Sequence, residues 1–356
     1  MRKRLQQLRK SMEEKKWEAF LISHPINRRY LTGFTGSAGW VLVTPDRQYL
    51  ISDFRYGVQG REEAPDFEFV QYDRNPFATV REKCEEQGIR SVAFEQDDMT
   101  VALYRKLEEI LEGIKPLPAS GIVEKLRQVK DEEEIRIMKQ AAKIADHAFK
   151  DILKEIRPGR REKEISMELE FLMRKQGATS SSFDTIVASG PRSALPHGVA
   201  GERILQKGDL ITMDFGALYQ GYCSDITRTV MLGQPSAKQR EIYEIVLEAQ
   251  QKGVAAIQPG MTGREVDAVA RDLITDRGYG EYFGHSTGHG LGMEVHEPPH
   301  LSVKGETRLE PGMVVTVEPG IYLPELGGVR IEDDVLVTEN GYEVLTHSPK
   351  ELIIID

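Results

Sequence analysis

The sequence predicts two domains, a smaller α/β domain over residues 1–120 and an α+β domain over residues 121–356. Three observations lead to this fold class. A chain of 356 residues is longer than one ordinary hydrophobic core supports. Its first third alternates between short apolar runs and segments with helical spacing, which is typical of α/β domains. The remainder contains related segments twice, which predicts a duplicated pair of α+β half-domains.

The predicted α/β domain opens with an amphipathic helix and continues with strands and helices in alternation. The predicted strands are 19–23, 39–44, 48–53, 67–73 and 90–95, and the predicted helices are 76–88 and 100–112. The stretch KPLPASG at 115–121 combines Pro and Gly, and it predicts a linker. A long helix then opens the second domain, where Asp131 and Glu134 have the spacing of a capping box.

The second domain contains an internal repeat. The segments IRPGRREKEISMELEFLMRKQG (156–177) and IQPGMTGREVDAVARDLITDRG (257–278) share identical residues at an offset of 101 positions. The segments GDLITMDFG and GMVVTVEPG match at an offset of 104, which places Asp214 on Glu318. Helix, turn and strand segments share glycines and apolar residues by chance, and that is the alternative explanation. Two ordered matches at nearly equal offsets favour a duplication.

Composition excludes several function classes. The chain has 47 Lys and Arg against 57 Asp and Glu, so its net charge of −10 argues against nucleic-acid phosphates as partners. The basic N-terminus lacks the apolar run of a secretory signal, and no segment is apolar enough for a membrane span. Cys84 and Cys223 are far apart, which argues against a disulfide framework and a thiolate zinc site. We therefore expect a cytoplasmic protein.

Each copy of the repeated strand carries one acidic residue and leads to a second. Asp214 is followed by FGALYQGYCSD, whose glycines suit a turn, so that Asp225 returns on the next strand. Glu318 is followed by PGIYLPELGGVRIED, which predicts a second hairpin that ends at Glu332. Because the acids lie among apolar neighbours, we expect all four carboxylates to point into one enclosed space.

Clustered carboxylates need cations, because burial and mutual repulsion would otherwise raise their pKa values strongly. A single acid such as Asp225 can also be explained by a salt bridge or a turn cap. Paired acids at matching places in two repeats instead predict a site for two divalent metal ions, with oxygen ligands and an imidazole from elsewhere. The charges of two divalent ions balance those of four carboxylates.

The motifs MDFG…GYCSD, GHGLG, VEPG and GVRIED, in this order, resemble the metal-ligand motifs of the pita-bread metallopeptidases, and more closely their proline-specific branch. NRRYLTGFTGSAG (27–39) resembles the creatinase-like N-terminal domain of that branch. The resemblance implies a C-terminal pita-bread domain, in which duplicated α+β halves surround a curved antiparallel sheet. It implies two metal ions, with Asp225 and Glu332 bridging them. The implied ligands are Asp214, Asp225, His289, Glu318 and Glu332.

The resemblance also implies the chemistry. Family members usually use manganese or cobalt, so we expect Mn²⁺ first, with Co²⁺, Zn²⁺ or Fe²⁺ as alternatives. The metals would lower the pKa of a bridging water to supply hydroxide and would polarise the scissile carbonyl, while Glu318 accepts a proton. His197 and His296 are implied to contact the substrate and stabilise the tetrahedral intermediate. The further implied substrate contacts are His285, Tyr322 and Arg330, whereas no role is implied for His24, His147, His300 and His347.

The implied substrate is a small peptide with proline at its second position. Its scissile bond lacks an N–H, so a dedicated site must use ring packing and carbonyl polarisation. GFTGSAG (33–39) looks slightly more like the aminopeptidase P group, which predicts an Xaa-Pro aminopeptidase, and an Xaa-Pro dipeptidase, or prolidase, is the alternative. A non-catalytic pita-bread binding protein and a methionine-specific peptidase are weaker alternatives. The family also implies a homodimer.

The segment GHSTGHGLGMEVHE (284–297) places His285, His289 and His296 close together in a chain with 8 histidines. On a helix, His285 and His289 could bind a single zinc ion. The interspersed glycines disfavour a helix and predict a strand or loop along the site wall. Under the family resemblance, only His289 binds metal, and the other two histidines face the substrate.

Overall fold

A computed structural model describes residues 2–356, which form two compact units that divide between Arg127 and Gln128. The α-helices are α1 Arg2–Lys15, α2 Pro25–Thr32, α3 Gly57–Glu63, α4 Pro76–Glu85, α5 Val101–Ile110, α6 Ile122–Gln128, α7 Glu132–Ile152, α8 Glu162–Lys175, α9 Ala237–Ala255 and α10 Gly263–Asp276. The strands are β1 Phe20–Ile22, β2 Trp40–Val43, β3 Gln48–Ser52, β4 Glu68–Gln71, β5 Ser91–Glu95, β6 Lys115–Ala119, β7 Ser180–Ser181, β8 Ile186–Ser189, β9 Leu210–Phe215, β10 Ala217–Tyr219, β11 Tyr222–Cys223, β12 Ile226–Leu232, β13 Gly288–Gly290, β14 Glu297–Leu301, β15 Val314–Val317, β16 Gly320–Leu323, β17 Gly327–Arg330, β18 Asp333–Thr338, β19 Gly341–Val344 and β20 Ile354–Ile355. Within residues 2–356, no helix is long and apolar enough to cross a membrane.

The first unit is built on one mixed sheet with the strand order β4-β3-β2-β1-β5-β6. Strand β2 pairs antiparallel with both β1 and β3, whereas the pairs β3–β4, β1–β5 and β5–β6 are parallel. Helix α4 buries Phe77, Val80 and Cys84 against the sheet, and α5 adds Leu107. Each predicted strand and helix of this domain is present, with shifted ends, because local periodicity and apolar packing agree there.

The stretch predicted as a linker is instead an edge strand, β6, so that prediction is wrong. The Lys115 N–H donates to Arg90 O at 2.8 Å, and Ala119 O accepts from the Gln96 N–H at 2.9 Å. The two prolines occupy the alternate positions of the strand, where an N–H would face the open edge of the sheet. Edge strands tolerate proline for this reason.

All of helix α6 except its last residue belongs to the first unit, so the units divide at Arg127, whereas the sequence predicts a boundary at residue 120. Arg127 Nη1 donates to Asn27 Oδ1 at 2.6 Å, and the Tyr30 hydroxyl donates to Leu126 O at 3.2 Å. These bonds connect the helix to α2, which lies about 100 positions earlier in the chain. Composition alone could not indicate such long-range bonds.

The second unit repeats one arrangement. In its first half α7 packs on α8 and strands β8, β9 and β12 are neighbours, and in its second half α9 packs on α10 and β13, β15 and β18 are neighbours in the same order. Each half inserts a short excursion between its last two strands, β10 and β11 in one and the hairpin β16–β17 in the other. The predicted fold class of duplicated α+β halves is confirmed. The capping box of Asp131 and Glu134 is also confirmed.

The returning strands bring the repeated acids to one end of each sheet. In the first half, the turn at Gln220 and Gly221 has φ values of 50° and 89°, which a tight hairpin turn requires. This turn lets β12 return beside β9, with Asp214 opposite Thr227. In the second half β18 returns beside β15 in the same way.

Candidate active site

The four predicted acids lie at the paired ends of these strands. Asp214 is on β9, and Asp225 immediately precedes β12. Glu318 immediately follows β15, and Glu332 immediately precedes β18. The Glu332 N–H donates to Thr227 O at 3.1 Å, so the acid-bearing segments of the two halves are hydrogen bonded to each other. The structure therefore brings together the four acids that the repeat predicts.

His289, on β13, faces the carboxylates. One ligand atom each from Asp225, His289 and Glu332 lies within 4.8 Å of the others, and all three residues are buried. His289 Nε2 lies 3.3 Å from Glu318 Oε1 and 3.7 Å from Asp225 Oδ2. Its Nδ1 donates to Gly290 O at 3.0 Å, because a carbonyl oxygen can only accept. Nε2 is therefore the nitrogen that a metal ion could use.

Burial and mutual repulsion govern the ionisation of these acids. Burial raises the pKa of Asp225 well above its usual range, and the charges of Glu332 and Asp214 raise it further. Burial likewise raises the pKa of Glu332, with added repulsion from Glu318 and Asp214. Burial also acts to raise the pKa of Glu318, but a hydrogen bond from His289 lowers it overall. Without cations, the carboxyl groups of Asp225 and Glu332 therefore resist ionisation.

The donor set fits divalent cations. Within the described residues 2–356, Asp214 Oδ1, Asp225 Oδ1 and Glu332 Oε1 are buried atoms without a hydrogen-bond donor. The second oxygen of Glu332 accepts from the Thr227 hydroxyl at 2.7 Å, so this carboxylate is held with its unsatisfied oxygen toward the cluster. Buried carboxylate oxygens with no donor are the ligands that hard divalent ions prefer, and such ions remove the desolvation cost of the charges.

Asp333 and Asp334 directly follow Glu332, and none of the motifs assigns them a role. Asp334 Oδ2 accepts from the Asp225 N–H at 3.1 Å, and it therefore fixes the backbone of a predicted ligand. Asp333 accepts instead from Arg228 Nη2 at 2.7 Å. The signal that could have identified both residues is the acidic run IEDD beside an apolar strand, because buried acids require partners.

Arg330 joins Asp214 to a chain of polar side chains. Its Nη2 donates to Asp214 Oδ2 at 2.6 Å, and its Nη1 donates to the Tyr322 oxygen at 2.9 Å. Its Nε donates to the Thr227 hydroxyl at 3.1 Å. The guanidinium therefore fixes one oxygen of Asp214 and leaves Oδ1 directed to the acid cluster, which is the orientation that a metal ligand needs.

The chain continues from Tyr322 to His285, and its hydrogen-bond directions can be assigned. His285 Nδ1 lies 2.8 Å from Ser286 O and must donate to it. Burial lowers the pKa of His285, so the ring is neutral and Nε2 accepts from the Tyr322 hydroxyl at 2.8 Å. Both ring nitrogens of His285 are thus bonded within the protein. Substrate contacts for His285, Tyr322 and Arg330 stay predictions.

A cavity of about 280 Å³ opens in front of the acids. His197, His285, His296 and Arg330 line it. The ring of His296 lies 4.4 Å from that of His289, measured between centroids. The cavity wall also includes Phe183, Ile186, Pro196 and Val295.

His300 also lines the cavity, although it matches no motif. It lies opposite His289 in the pairing of β13 with β14. On β14 it follows Pro298 by two positions, and both residues are exposed on the same face of the strand. The alternation of buried and exposed residues along β14 could have placed it on the face of the cavity. A resemblance restricted to short motifs does not contain this signal.

The loop that carries His197 is anchored by Glu162, a fully buried residue at the start of α8. Its carboxylate accepts from the N–H groups of Ser189 and Gly201 at 2.8 and 3.1 Å and forms an ion pair with Arg192. These contacts fix both ends of the loop, so that His197 is presented to the cavity from a constrained backbone.

The glycines beside His289 have a steric reason. A Cβ at Gly288 would lie 1.9 Å from Thr316 O, and one at Gly290 would lie 2.3 Å from Pro298 O. Only glycine allows these strands to approach so closely. Within GHSTGHGLGMEVHE (284–297), residues 288–290 form strand β13 and no residue is helical, so the predicted non-helical path is confirmed.

Comparison with known protein families shows which family the chain belongs to. The profile described as "Metallopeptidase family M24" matches residues 136–339, more than half of the sequence, and that described as "Creatinase/Prolidase N-terminal domain" matches residues 4–129. The chain belongs to metallopeptidase family M24. The predicted family is confirmed, and so is the prediction that the protein is a metallopeptidase.

This M24 metallopeptidase is similar over its full length to proteins with proline-specific names. A solved structure named Xaa-Pro dipeptidase from Bacillus anthracis has 55% identity and a TM-score of 0.98, covering 99% of both chains. A Pyrococcus furiosus protein named Xaa-Pro dipeptidase is 43% identical over 99% of this chain and 100% of its own length. A structure named X-Pro aminopeptidase from Thermotoga maritima has 42% identity and a TM-score of 0.91, covering 96% of this chain and 98% of its own.

Proposed function

We propose that this chain is an Xaa-Pro dipeptidase that hydrolyses the single peptide bond of dipeptides ending in proline. The observation that carries the proposal is the set of four carboxylates and one imidazole around one cavity, in which three buried carboxylate oxygens lack donors within residues 2–356. The names of the Bacillus anthracis and Pyrococcus furiosus proteins, which align with nearly the whole chain, support the substrate class.

We propose two divalent metal ions as the cofactor, with manganese as the first choice. Bound divalent ions supply a nucleophile at neutral pH and polarise the scissile carbonyl. Asp225 and Glu332 would hold both ions, as the family resemblance implies. Burial and neighbouring carboxylates raise the pKa of each well above its usual range, a cost that divalent ions offset. The proposed ligands are Asp214, Asp225, His289, Glu318 and Glu332.

The chain's own groups would move the protons and bind the substrate. Glu318 exposes 16% of its side chain toward the cavity, against 6% for Asp225, so it is the more accessible proton acceptor. His296 and His197 present exposed rings at the cavity, where they can donate to an oxygen that gains charge during the reaction. The apolar part of the wall, including Phe183 and Pro196, suits the packing of a proline ring.

The preference for dipeptides replaces the aminopeptidase expectation. That expectation rests on the segment GFTGSAG, which has a structural explanation within the first unit. Arg28 donates to Gly36 O and Gly39 O at 2.7 Å each, so the segment folds around a buried guanidinium. A loop with an internal packing role carries little information about substrate length. The Thermotoga maritima structure named X-Pro aminopeptidase keeps cleavage of longer peptides as the second candidate.

The test compares hydrolysis of Ala-Pro with that of Ala-Pro-Ala-Ala after manganese loading, with Glu318→Gln as the inactive control. We expect kcat/KM for the dipeptide to exceed that for the tetrapeptide at least about tenfold, a difference of about 1.4 kcal/mol in transition-state binding. Faster release of alanine from the tetrapeptide would establish the aminopeptidase instead. Absence of turnover on both peptides in a metal-loaded protein would reject both functions.

We also propose a homodimer and a cytoplasmic location. The family resemblance supports the dimer, and the two distant cysteines support a reducing compartment. Light scattering on the purified chain tests the first proposal, and cell fractionation tests the second. A monomer at micromolar concentration would contradict the dimer.

A further inference from the structure

Helix α10 carries an ion pair between a buried aspartate and a half-buried arginine, and the pair lies outside the predicted site. Asp267 is 1% exposed, and Arg271 lies one turn further along the helix. Arg271 Nε donates to Asp267 Oδ2 at 2.7 Å, and Nη2 donates to Oδ1 at 2.8 Å. Two parallel bonds of this kind hold both side chains in one geometry.

The two side chains of the pair are hydrogen bonded to the segment that carries His285. Asp267 Oδ1 accepts from the N–H and the hydroxyl of Thr287, at 3.1 and 2.8 Å. Arg271 donates to Phe283 O at 3.1 Å and to His285 O at 2.7 Å, and it lies over the Phe283 ring, 4.3 Å from its centroid. The main chain is therefore held on both sides of His285 and at the residue itself.

These bonds determine which ring nitrogen of His285 carries the proton. Because the backbone at 285–287 is fixed, Ser286 O stays close to His285 Nδ1 and accepts a hydrogen bond from it. The ring proton therefore stays on Nδ1. Nε2 must then accept from Tyr322, whose oxygen accepts in turn from Arg330. At the end of this chain, Arg330 holds Asp214 by its Oδ2. The directions of all these bonds depend on the position of one backbone carbonyl.

We propose that Asp267 and Arg271 are positioning residues for the Asp214 end of the metal site, acting through His285, Tyr322 and Arg330. The inference rests on the proposed function. If segment 283–287 is released, His285 can change its tautomer or rotate, and Tyr322 loses its acceptor. Arg330 keeps its bonds to Thr227 and to Pro196 O but loses the fixed position of the Tyr322 oxygen. Its bond to Asp214 Oδ2, which leaves Oδ1 directed to the cluster, is then less firmly oriented.

A simpler role for the pair is to attach helix α10 to the neighbouring loop, and kinetics can separate the two roles. Arg271→Met and Tyr322→Phe are made singly and together in the manganese-loaded enzyme. We expect each single variant to lower kcat about 10- to 100-fold with little change in KM. Because both act on the same chain of bonds, the double variant should be no slower than the slower single variant. Multiplied losses, or an unchanged kcat in Arg271→Met, would overturn the proposal.

Arg277, at the C-terminal end of helix α10, provides a matched control. Arg277 forms an exposed ion pair with Glu248 at 2.7 Å, outside the segment that carries His285. Arg277→Met should leave kcat and KM as in the wild type. An equal loss of kcat in this control would assign the effect to the attachment of the helix rather than to positioning.

A readout independent of turnover uses zinc-loaded protein with ¹⁵N-labelled histidine. In the wild type, His285 should show a protonated Nδ1 and an unprotonated Nε2, with His285→Gln used to assign the signals. In Arg271→Met the tautomers should mix or invert. An unchanged tautomer would reject the inference even in an active enzyme, whereas a wild type that is inactive on proline peptides would reject only the proposed function.

Discussion

The guanidinium of Arg228 donates to the carboxylate of Asp333 at 2.7 Å in a part of the second unit where both side chains are at most 1% exposed. Arg228 also donates to the backbone carbonyls of Thr227 and Glu332, which come from opposite halves of the duplicated domain. Lys350 completes the environment of Asp333 with a bond of 2.6 Å. One buried arginine thus joins the two segments that carry Asp225 and Glu332.

Arg228→Met is expected to lower the free energy of unfolding of the second unit by about 3 kcal/mol. The substitution leaves the buried carboxylate of Asp333 with its weaker partners and removes the link between the halves. Urea unfolding followed by far-UV circular dichroism measures the change. Lys139→Met, which breaks the exposed ion pair with Glu343, is the control and should stay within about 0.5 kcal/mol of the wild type.

Glu332→Gln should reduce both metal occupancy and rate. The amide keeps the shape of the side chain but replaces a buried anionic oxygen, which lacks a donor within residues 2–356, by a poorer ligand. Elemental analysis after manganese loading and gel filtration should find a clear loss of metal relative to the wild type. His347→Gln, which changes an exposed histidine of the same unit, is the control. Unchanged metal content would remove Glu332 from the ligand set.

His296→Ala should lower kcat about 100- to 1,000-fold without loss of metal. The ring faces the cavity beside His289 and can donate to a developing negative charge, yet it is not one of the proposed ligands. Steady-state kinetics on Ala-Pro and elemental analysis of the same sample check both parts. Loss of metal together with activity would make His296 a ligand or a support of His289.

The sequence predicts the fold well where local pattern and tertiary packing agree. The strands of the first unit and the duplicated halves follow from periodicity and from the internal repeat. Strand β6 does not, because its prolines resemble a linker and only pairing with β5 identifies it as an edge strand. Helix α6 is assigned to the first unit by bonds of Arg127 and Leu126 to residues far earlier in the chain.

Prediction of the site from the sequence has the same limit. The repeat and the motifs lead to the acids and to His289, because each lies in a short segment with a characteristic pattern. Asp267 and Arg271 lie in an ordinary helical sequence, and their partners follow up to 20 positions later in a loop. The sequence around Asp334 and His300 gives only a general signal, an acidic run and a strand alternation, and their partners follow from the pairing of strands. Supporting contacts depend on tertiary register, which short motifs do not encode.

Glu95 provides a test in the first unit. Its oxygens accept from the N–H groups of Ser23 and His24, at 2.7 Å each, and from the Asn27 amide at 2.6 Å. Burial raises its pKa to about 7, against the opposing effect of these hydrogen bonds. As pH rises above about 4.5, the unfolded chain loses this proton while the folded protein keeps it. The contribution of Glu95 to stability is therefore full below pH 4.5, falls up to about pH 7 and is constant above.

Glu95→Gln should remove this pH dependence, which amounts to about 3 kcal/mol between pH 4.5 and 7. Both tryptophans of the chain, Trp17 and Trp40, lie in the first unit, so their fluorescence during urea unfolding of the full-length protein reports on that unit. The wild type should lose stability across this pH interval, and the variant should lose less. Glu62→Gln, at an exposed position of the same unit, should follow the wild type. Equal slopes for Glu95→Gln and the wild type would show that the hydrogen bonds to Glu95 outweigh its burial.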